Sequence, residues 1–306
     1  MVGATDPCAA PPTPRAVAKV LELIGEGFVS VDSRWRFTYI NAQAERIYKR
    51  QRERLLGKDI WEVFPTVVGT VIEREYRRVM AERVEGQVDA PFPRLNVWME
   101  VKIYPLDDGG LAFYFTDIAQ RRCAEKHLAC QKKLQEMIFA GANFASLLTV
   151  LAQTMESISI QPTQVSILVM DAAGWLRHGA APRLPESFND AVDVLPAAGD
   201  AVPWAVAAHT KRVVSVENIP EHPQPAFRAL ALSCGLRASW TTPIVAPLGG
   251  VLGTLSLFYR DCARPSQMEE ESATIFASLA GLFISHTRMM EAASQRPPPR
   301  GLLRKA

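Results

Sequence analysis

Two cysteines seven residues apart, Cys123 and Cys130, are the first groups in this chain whose type and spacing could react together. On a helix they share one face. In a parallel pair of such helices each would meet its counterpart and form an oxidation-sensitive clip; a pair of incidental thiols is the alternative. The other cysteines, Cys8, Cys234 and Cys262, form no Cys-x-x-Cys pair, and the total of five is odd. That usage fits a reduced, cytoplasmic protein rather than a disulfide scaffold. His178, beside Gly179 in a strand-like stretch, could face a pocket, or could be an ordinary surface or core residue. His286 sits in Phe283-Ile-Ser-His-Thr-Arg-Met-Met290, which lacks the residues that follow a phospho-acceptor histidine. Known catalytic spacings are also missing: no Gly-x-x-x-x-Gly-Lys-Ser/Thr loop, no His-Glu-x-x-His, no Gly-x-Ser-x-Gly. The chain is therefore read as not an enzyme.

The elements that would position these groups are clearest in Gly110-Leu-Ala-Phe-Tyr-Phe-Thr-Asp-Ile-Ala-Gln-Arg-Arg122. Leu111, Phe113 and Phe115 alternate with Ala112 and Tyr114, the period of a half-buried strand. Asp117 then stands where a helix should begin, with Gln120 three residues on, a capping-box arrangement. Asp117, Ile118, Gln120 and Arg121 thus form a junction at which a core strand runs straight into a charged helix. A change in the sheet can tilt or rotate such a helix. Its apolar residues (Ile118, Leu128, Leu134, Ile138) keep no clean heptad, so both a dimeric coiled coil and a helix packed on its own domain remain open.

Composition bounds the rest. The chain has 306 residues, enough for two ordinary domains, with 48% hydrophobic and 22% charged residues. The formal net charge is only +2, so no global field favours nucleic acid or an anionic membrane. No secretory signal opens the chain, and the apolar run from Ala273 to Ile284 is too short to span a bilayer, so no membrane insertion is expected. Composition and breaks divide the sequence into a flexible tail (1–15), a first domain (16–120), a helical linker (121–139), a second domain (140–293) and a Pro-rich basic tail (294–306).

The strand-to-helix segment above, preceded by Trp98-Met-Glu-Val-Lys-Ile-Tyr-Pro105, resembles the end of a PAS domain, with Ala119 where the family's Asp-Ile-Thr motif has Thr. Gly27-Phe-Val-Ser-Val-Asp32, Arg36-Phe-Thr-Tyr-Ile-Asn41, Ala42-Gln-Ala-Glu-Arg-Ile-Tyr48 and Leu55-Leu-Gly-Lys-Asp-Ile-Trp-Glu-Val-Phe-Pro65 extend the likeness over roughly residues 17 to 120. The second half resembles a GAF domain. His178-Gly-Ala-Ala-Pro-Arg-Leu-Pro185, Ala226-Phe-Arg-Ala-Leu-Ala231, Gly235-Leu-Arg-Ala-Ser-Trp-Thr-Thr-Pro-Ile244 and Gly249-Gly-Val-Leu-Gly-Thr-Leu-Ser-Leu-Phe-Tyr259 carry that resemblance. The pair is similar to the N-terminal sensory region of bacterial sensor histidine kinases. It implies an α+β fold, two domains, each a central antiparallel sheet flanked by helices.

The PAS likeness makes Phe37, Tyr39, Trp61, Phe64, Tyr76, Met80, Met99, Phe113 and Phe115 candidates for a ligand cavity, with plain core as the alternative. Residues 17–118 contain neither His nor Cys, which argues against a haem held by a proximal His and against a flavin adduct. For the GAF likeness the candidates are His178, Trp204, Trp240, Thr242, Ser256 and Phe258. Where related domains carry small residues at a helix start, this chain reads Asp200-Ala-Val-Pro-Trp-Ala-Val-Ala-Ala208, so Trp204 is expected to fill or retune the pocket. Cys234 is badly placed to attach a bilin, and Cys234 with Cys262 is a poor arrangement for methionine-sulfoxide reduction. The resemblance implies a regulatory protein that senses a small ligand or a protein partner, and a charged linker helix that gains little without a partner makes a homodimer the expected form. The competing reading is an adaptor with non-binding pockets. After Ala293 three prolines stop the last helix and no kinase, cyclase or DNA-binding segment follows. Output is therefore expected from a separate protein such as a kinase or regulator, unless the chain is the sensory half of a histidine kinase or cyclic-di-GMP enzyme.

Overall fold

The computed structural model describes residues 14–92, 95, 97–194, 202–246 and 249–294. The chain divides into two compact units, residues 1–120 and 121–306. The expected tails fall almost wholly outside the described residues.

The first unit opens with α1 (Pro14–Leu23), then β1 (Gly27–Val31), β2 (Phe37–Ile40) and α2 (Ala42–Tyr48). A single buried side chain ties these four together. Asn41 Oδ1 accepts from the amides of Phe28 and Ala44, at 2.9 and 2.8 Å. Its Nδ2 donates to the carbonyls of Leu21 and Glu26, at 2.9 and 3.0 Å. Asn41 is thus at once the cap of α2 and the anchor of the α1–β1 turn, with its hydrogen-bonding capacity used although it is fully buried. Arg52 adds a second tie, pairing with Glu22 and Glu45 at 2.7 Å each.

After α3 (Ile60–Val63) comes α4 (Val71–Glu82), whose Thr70 hydroxyl accepts from the amide of Ile72 and caps it. The unit closes with β3 (Gly86–Phe92), β4 (Val97–Pro105) and β5 (Leu111–Asp117). The five strands form one antiparallel sheet in the order β2-β1-β5-β4-β3. Its covered face presents Met99, Val101 and Ile103 from β4 and Leu111, Phe113 and Phe115 from β5. They pack under α2, α3 and α4 through Ala44, Ile60, Ile72 and Val79.

The second unit contains α5 (Ala119–Phe139, beginning just before the unit boundary), α6 (Phe144–Ile158), β6 (Thr163–Met170), β7 (Leu176–Ala180), α7 (Glu186–Val194) and α8 (Pro203–Thr210). It continues through β8 (Val214–Val216), α9 (Pro225–Ser233), β9 (Ala238–Val245), β10 (Val251–Tyr259) and α10 (Gln267–Ser294). The sheet is again antiparallel, in the order β7-β6-β10-β9-β8, and is covered on both faces. One face packs Leu255, Leu257 and Tyr259 of β10 with residues of α5, α6 and α10. The other packs Phe258 and Leu168 with α7, α8 and α9. Because both faces are buried, β10 is buried at every position after Val251.

Of the two arrangements the sequence leaves open for α5, the structure has the helix packed on its own unit. Cys123, Cys130 and Leu134 are buried in the core shared with α6 and α10. The seven-residue spacing does put both thiols on one face, but that face is turned inward. Sequence reading misses β3, which carries Asp89 and Pro91, and α7, whose Asn and Asp content and flanking prolines mask a weak helix signal.

Candidate functional site

In the first unit the sheet and helices enclose a small cavity. Of the nine residues proposed from sequence, Phe64, Tyr76, Met99 and Phe115 line it. Tyr48, Ile60, Val67, Phe92 and Val101 line it too and were not singled out. Tyr48 had a signal: it lies one turn after buried Ala44 on the inner side of α2. Val101 had one as well, two residues from Met99 on the same strand face. The volume is about 10 Å³, the room of a single water.

Aromatic contacts shape this space. The Phe115 ring stacks on Tyr48, with centroids 5.0 Å apart and planes 17° from parallel. Tyr48 also meets Phe64 at 4.8 Å, and Tyr76 meets Phe113 at 4.6 Å. Burial, and then the neighbouring Tyr76, push the Tyr48 phenol well above its ordinary value; burial raises Tyr76 too. Both rings therefore stay neutral.

The remaining candidates lie elsewhere. Phe37 and Phe113 are core beside the cavity, and Met80 is half-buried at the core edge. Trp61 packs on Trp35 at 4.8 Å, and the Arg77 guanidinium lies over the Trp61 ring at 5.0 Å. Tyr39 is a correction. A bulge between Ser30 and Val31 leaves Thr38 out of the β1–β2 register, so Phe37 and Ile40 both face the core. Tyr39 is thereby turned to the opposite face, against Phe28, with its hydroxyl donating to Glu22 at 3.1 Å. Alternation alone places Phe37 and Tyr39 together; the extra residue breaks it.

In the second unit the candidates split between the two faces of the sheet. Phe258 and Ser256 face α7–α9. There Trp204, 1% exposed, meets Phe227 at 5.5 Å and Phe188 at 6.2 Å, while Phe188 meets Phe258 at 5.3 Å. These four rings occupy the space between sheet and helices. Beneath them runs a row of hydroxyls. Thr241 and Ser256 hydrogen-bond across strands at 2.9 Å, whereas Ser239 Oγ and Thr254 Oγ1 are buried without a hydrogen-bond partner.

Trp240 and Thr242 are corrections, since they pair with Leu257 and Leu255 and so face α6 and α10. A sheet buried on both sides gives no polarity signal by which sequence could tell its faces apart. His178 is a correction too: it is exposed on β7. Asp200 and Ala201 of the segment leading into α8 lie outside the described residues.

At the junction, Asp117 is exposed and its Oδ1 accepts from the amide of Ala119 at 2.9 Å, capping α5. The buried Ile118 extends the β4–β5 ladder, its amide donating to the Trp98 carbonyl at 2.7 Å. Gln120 is exposed, and Arg121 pairs loosely with Glu125 at 3.9 Å, one turn on. No loop separates strand from helix.

Among the described residues no helix is long and apolar enough to cross a membrane. Comparison with known proteins places these two units in families. Residues 21–123 match the model of the PAS fold, and residues 141–285 match that of the GAF domain. A methyl sulfide methyltransferase-associated sensor of Methanosarcina acetivorans is 29% identical over 180 residues, which is 58% of this chain and 18% of that protein. The chain thus matches less than a fifth of this relative's length. Among solved structures, the GAF domain of a phosphoenolpyruvate-protein phosphotransferase from Coxiella burnetii shares 17% identity, covering 55% of this chain and 98% of that one, with a TM-score of 0.45. A domain assigned to a two-component sensor histidine kinase of Sinorhizobium meliloti 1021 shares 23% identity over 51% of this chain and all of that one, with a TM-score of 0.43.

Proposed function

In a chain that is a PAS domain followed by a GAF domain, we propose a sensory relay. A small, largely apolar molecule enters the cavity of the first unit, is held by its hydrocarbon walls and the Tyr48 and Tyr76 hydroxyls, and shifts β5. The shift passes into α5. One observation carries this reading: Phe115 walls the cavity, and two residues later Asp117 caps the helix. With no loop between them, a displacement of the strand reaches the start of the helix directly. The GAF unit is the receiver, because Cys123, Cys130 and Leu134 of α5 are embedded in its core. Its own ligand space is closed by Trp204 and the rings around it. The reading assigns no catalytic step to either unit and hands the output to a partner such as a kinase or regulator. Exposed Ile275, Leu282 and Met289, spaced by sevens on α10, suit pairing with a second copy.

The adaptor reading is favoured by the small volume of the cavity, about 10 Å³. Ligand binding requires that cavity to open. Mass spectrometry of small molecules released from the purified protein, with a thermal-shift screen, separates the two readings. The relay expects a bound or stabilising compound that also changes hydrogen exchange in 119–139. If no compound copurifies or raises the melting temperature, the adaptor reading replaces it.

A further inference from the structure

Exposed helix surface in the second unit is ordinarily charged: α5 carries Glu125, Lys132, Lys133 and Glu136 outward. The exposed face of α10 is built differently. No Asp, Glu, Lys or Arg occurs between Glu271 and Arg288. Along that stretch and just past it, Ile275, Leu282 and Met289 are 40%, 55% and 62% exposed. Steps of seven residues set the three on one line along the helix. Thr274 and Ser278 are exposed on the same stretch, but their hydroxyls donate to the carbonyls of Glu270 and Thr274 one turn back, at 2.9 Å each. Covering these two therefore strands no hydroxyl donor. Charge returns only at the ends, as exposed Glu270 and Glu271 at the start and Arg288 near the close.

We propose that two copies of this chain pair through α10 in antiparallel register, with Leu282 on the two-fold axis and Ile275 of each copy facing Met289 of the other. The occupant is a second copy because an uncharged stripe offers a charged partner helix nothing to match, while against itself it meets no repulsion. The orientation follows from the ends of the helix. Antiparallel helices bring Glu270 and Glu271 of one copy toward Arg288 of the other. Parallel helices set glutamates beside glutamates and arginine beside arginine. The helix dipoles act in the same sense, since antiparallel neighbours place a positive end by a negative one. The spacing is symmetric about Leu282, seven residues back to Ile275 and seven on to Met289, so both contacts form in one register. The pairing rests on the use of α10 given under the proposed function; the arrangement goes beyond it. The two α10 C-terminal ends then lie at opposite ends of the interface.

The test uses the full chain with Cys8, Cys234 and Cys262 changed to serine, which leaves only the buried Cys123 and Cys130. Light scattering is expected to give the mass of a dimer. Leu282→Asp, which sets two carboxylates face to face, weakens the association at least about tenfold with circular dichroism unchanged. Leu232→Asp, at an exposed leucine of α9, leaves the association as it was. Mild oxidation then reads the orientation. Co-expressed Ile275→Cys and Met289→Cys chains cross-link with each other, and neither cross-links with itself. Self-cross-linking of Ile275→Cys, without cross-linking to Met289→Cys, means parallel helices and overturns the arrangement while leaving the pairing intact. A monomer, or a dimer untouched by Leu282→Asp, overturns the pairing as well. The ligand relay of the first unit is read separately, by its thermal shift.

Discussion

The Phe115 ring lies flat against that of Tyr48, with centroids 5.0 Å apart, and two residues further along the same strand the Asp117 carboxylate caps α5. The cavity wall and the start of the helix are therefore one piece of backbone. Four expectations follow from this geometry and its surroundings.

Asp117→Ala removes the acceptor for the Ala119 amide and frays the first turn of α5. The expected cost is about 1 kcal/mol, read from urea denaturation. Hydrogen exchange should rise at 119–122 and stay unchanged at Cys130 and beyond, which the GAF core holds. Uniform exchange along the helix would show that the cap does not set its start.

Gly27 faces Phe115 across the β1–β5 ladder, and a Cβ there would stand 2.4 Å from Cε2 of the ring. Gly27→Ala must push the ring off Tyr48 and into the cavity. Overpacking of this kind costs about 1–3 kcal/mol. The variant should lose any thermal shift produced by a cavity ligand while keeping its circular dichroism. A retained shift would mean that the ligand sits elsewhere.

Trp204→Ala tests whether the second unit is closed by this one side chain. Truncating a fully buried tryptophan costs about 3–5 kcal/mol. The space it leaves is lined by Phe188 and Phe227 and matches the lost indole. Free indole should raise the variant's melting temperature and leave the parent's unchanged. Equal responses would show that the helices collapse onto the gap.

Arg52 governs an acid response in the first unit. Hydrogen bonds from its guanidinium are the largest influence holding the Glu22 and Glu45 carboxyls below their ordinary 4.5. Folded values below the unfolded ones mean stability that is present above pH 4.5 and lost as pH falls through the folded values. Arg52→Ala should therefore be less stable than the parent at pH 7, with the gap narrowing below pH 4.5. A gap that stays constant with pH would place the loss in packing.

The junction was legible because its signals are local: alternation over five residues and a carboxylate at the helix start. The cavity was half legible. Phe64, Tyr76, Met99 and Phe115 stand out as large apolar residues on regular elements, whereas Tyr39 was misplaced by one unpaired residue, Thr38. In the second unit, Trp240 and Phe258 read alike in sequence, since both strands are buried on both faces. Only the packed helices tell the two sides apart.

The sequence by itself determined the strand-to-helix run through Asp117, because alternation and capping depend on neighbours within a turn or a strand, and its motifs carried the resemblance from which two α+β units were expected. Tertiary structure alone decided what each face meets. It buried α5 against α6 and α10, turned Trp240 and Phe258 to opposite faces of their sheet, and brought Ser272 to Cys123 and His127 across 149 and 145 residues of chain. Such meetings are fixed by how helices pack on a sheet, and no local pattern in the chain encodes the partner.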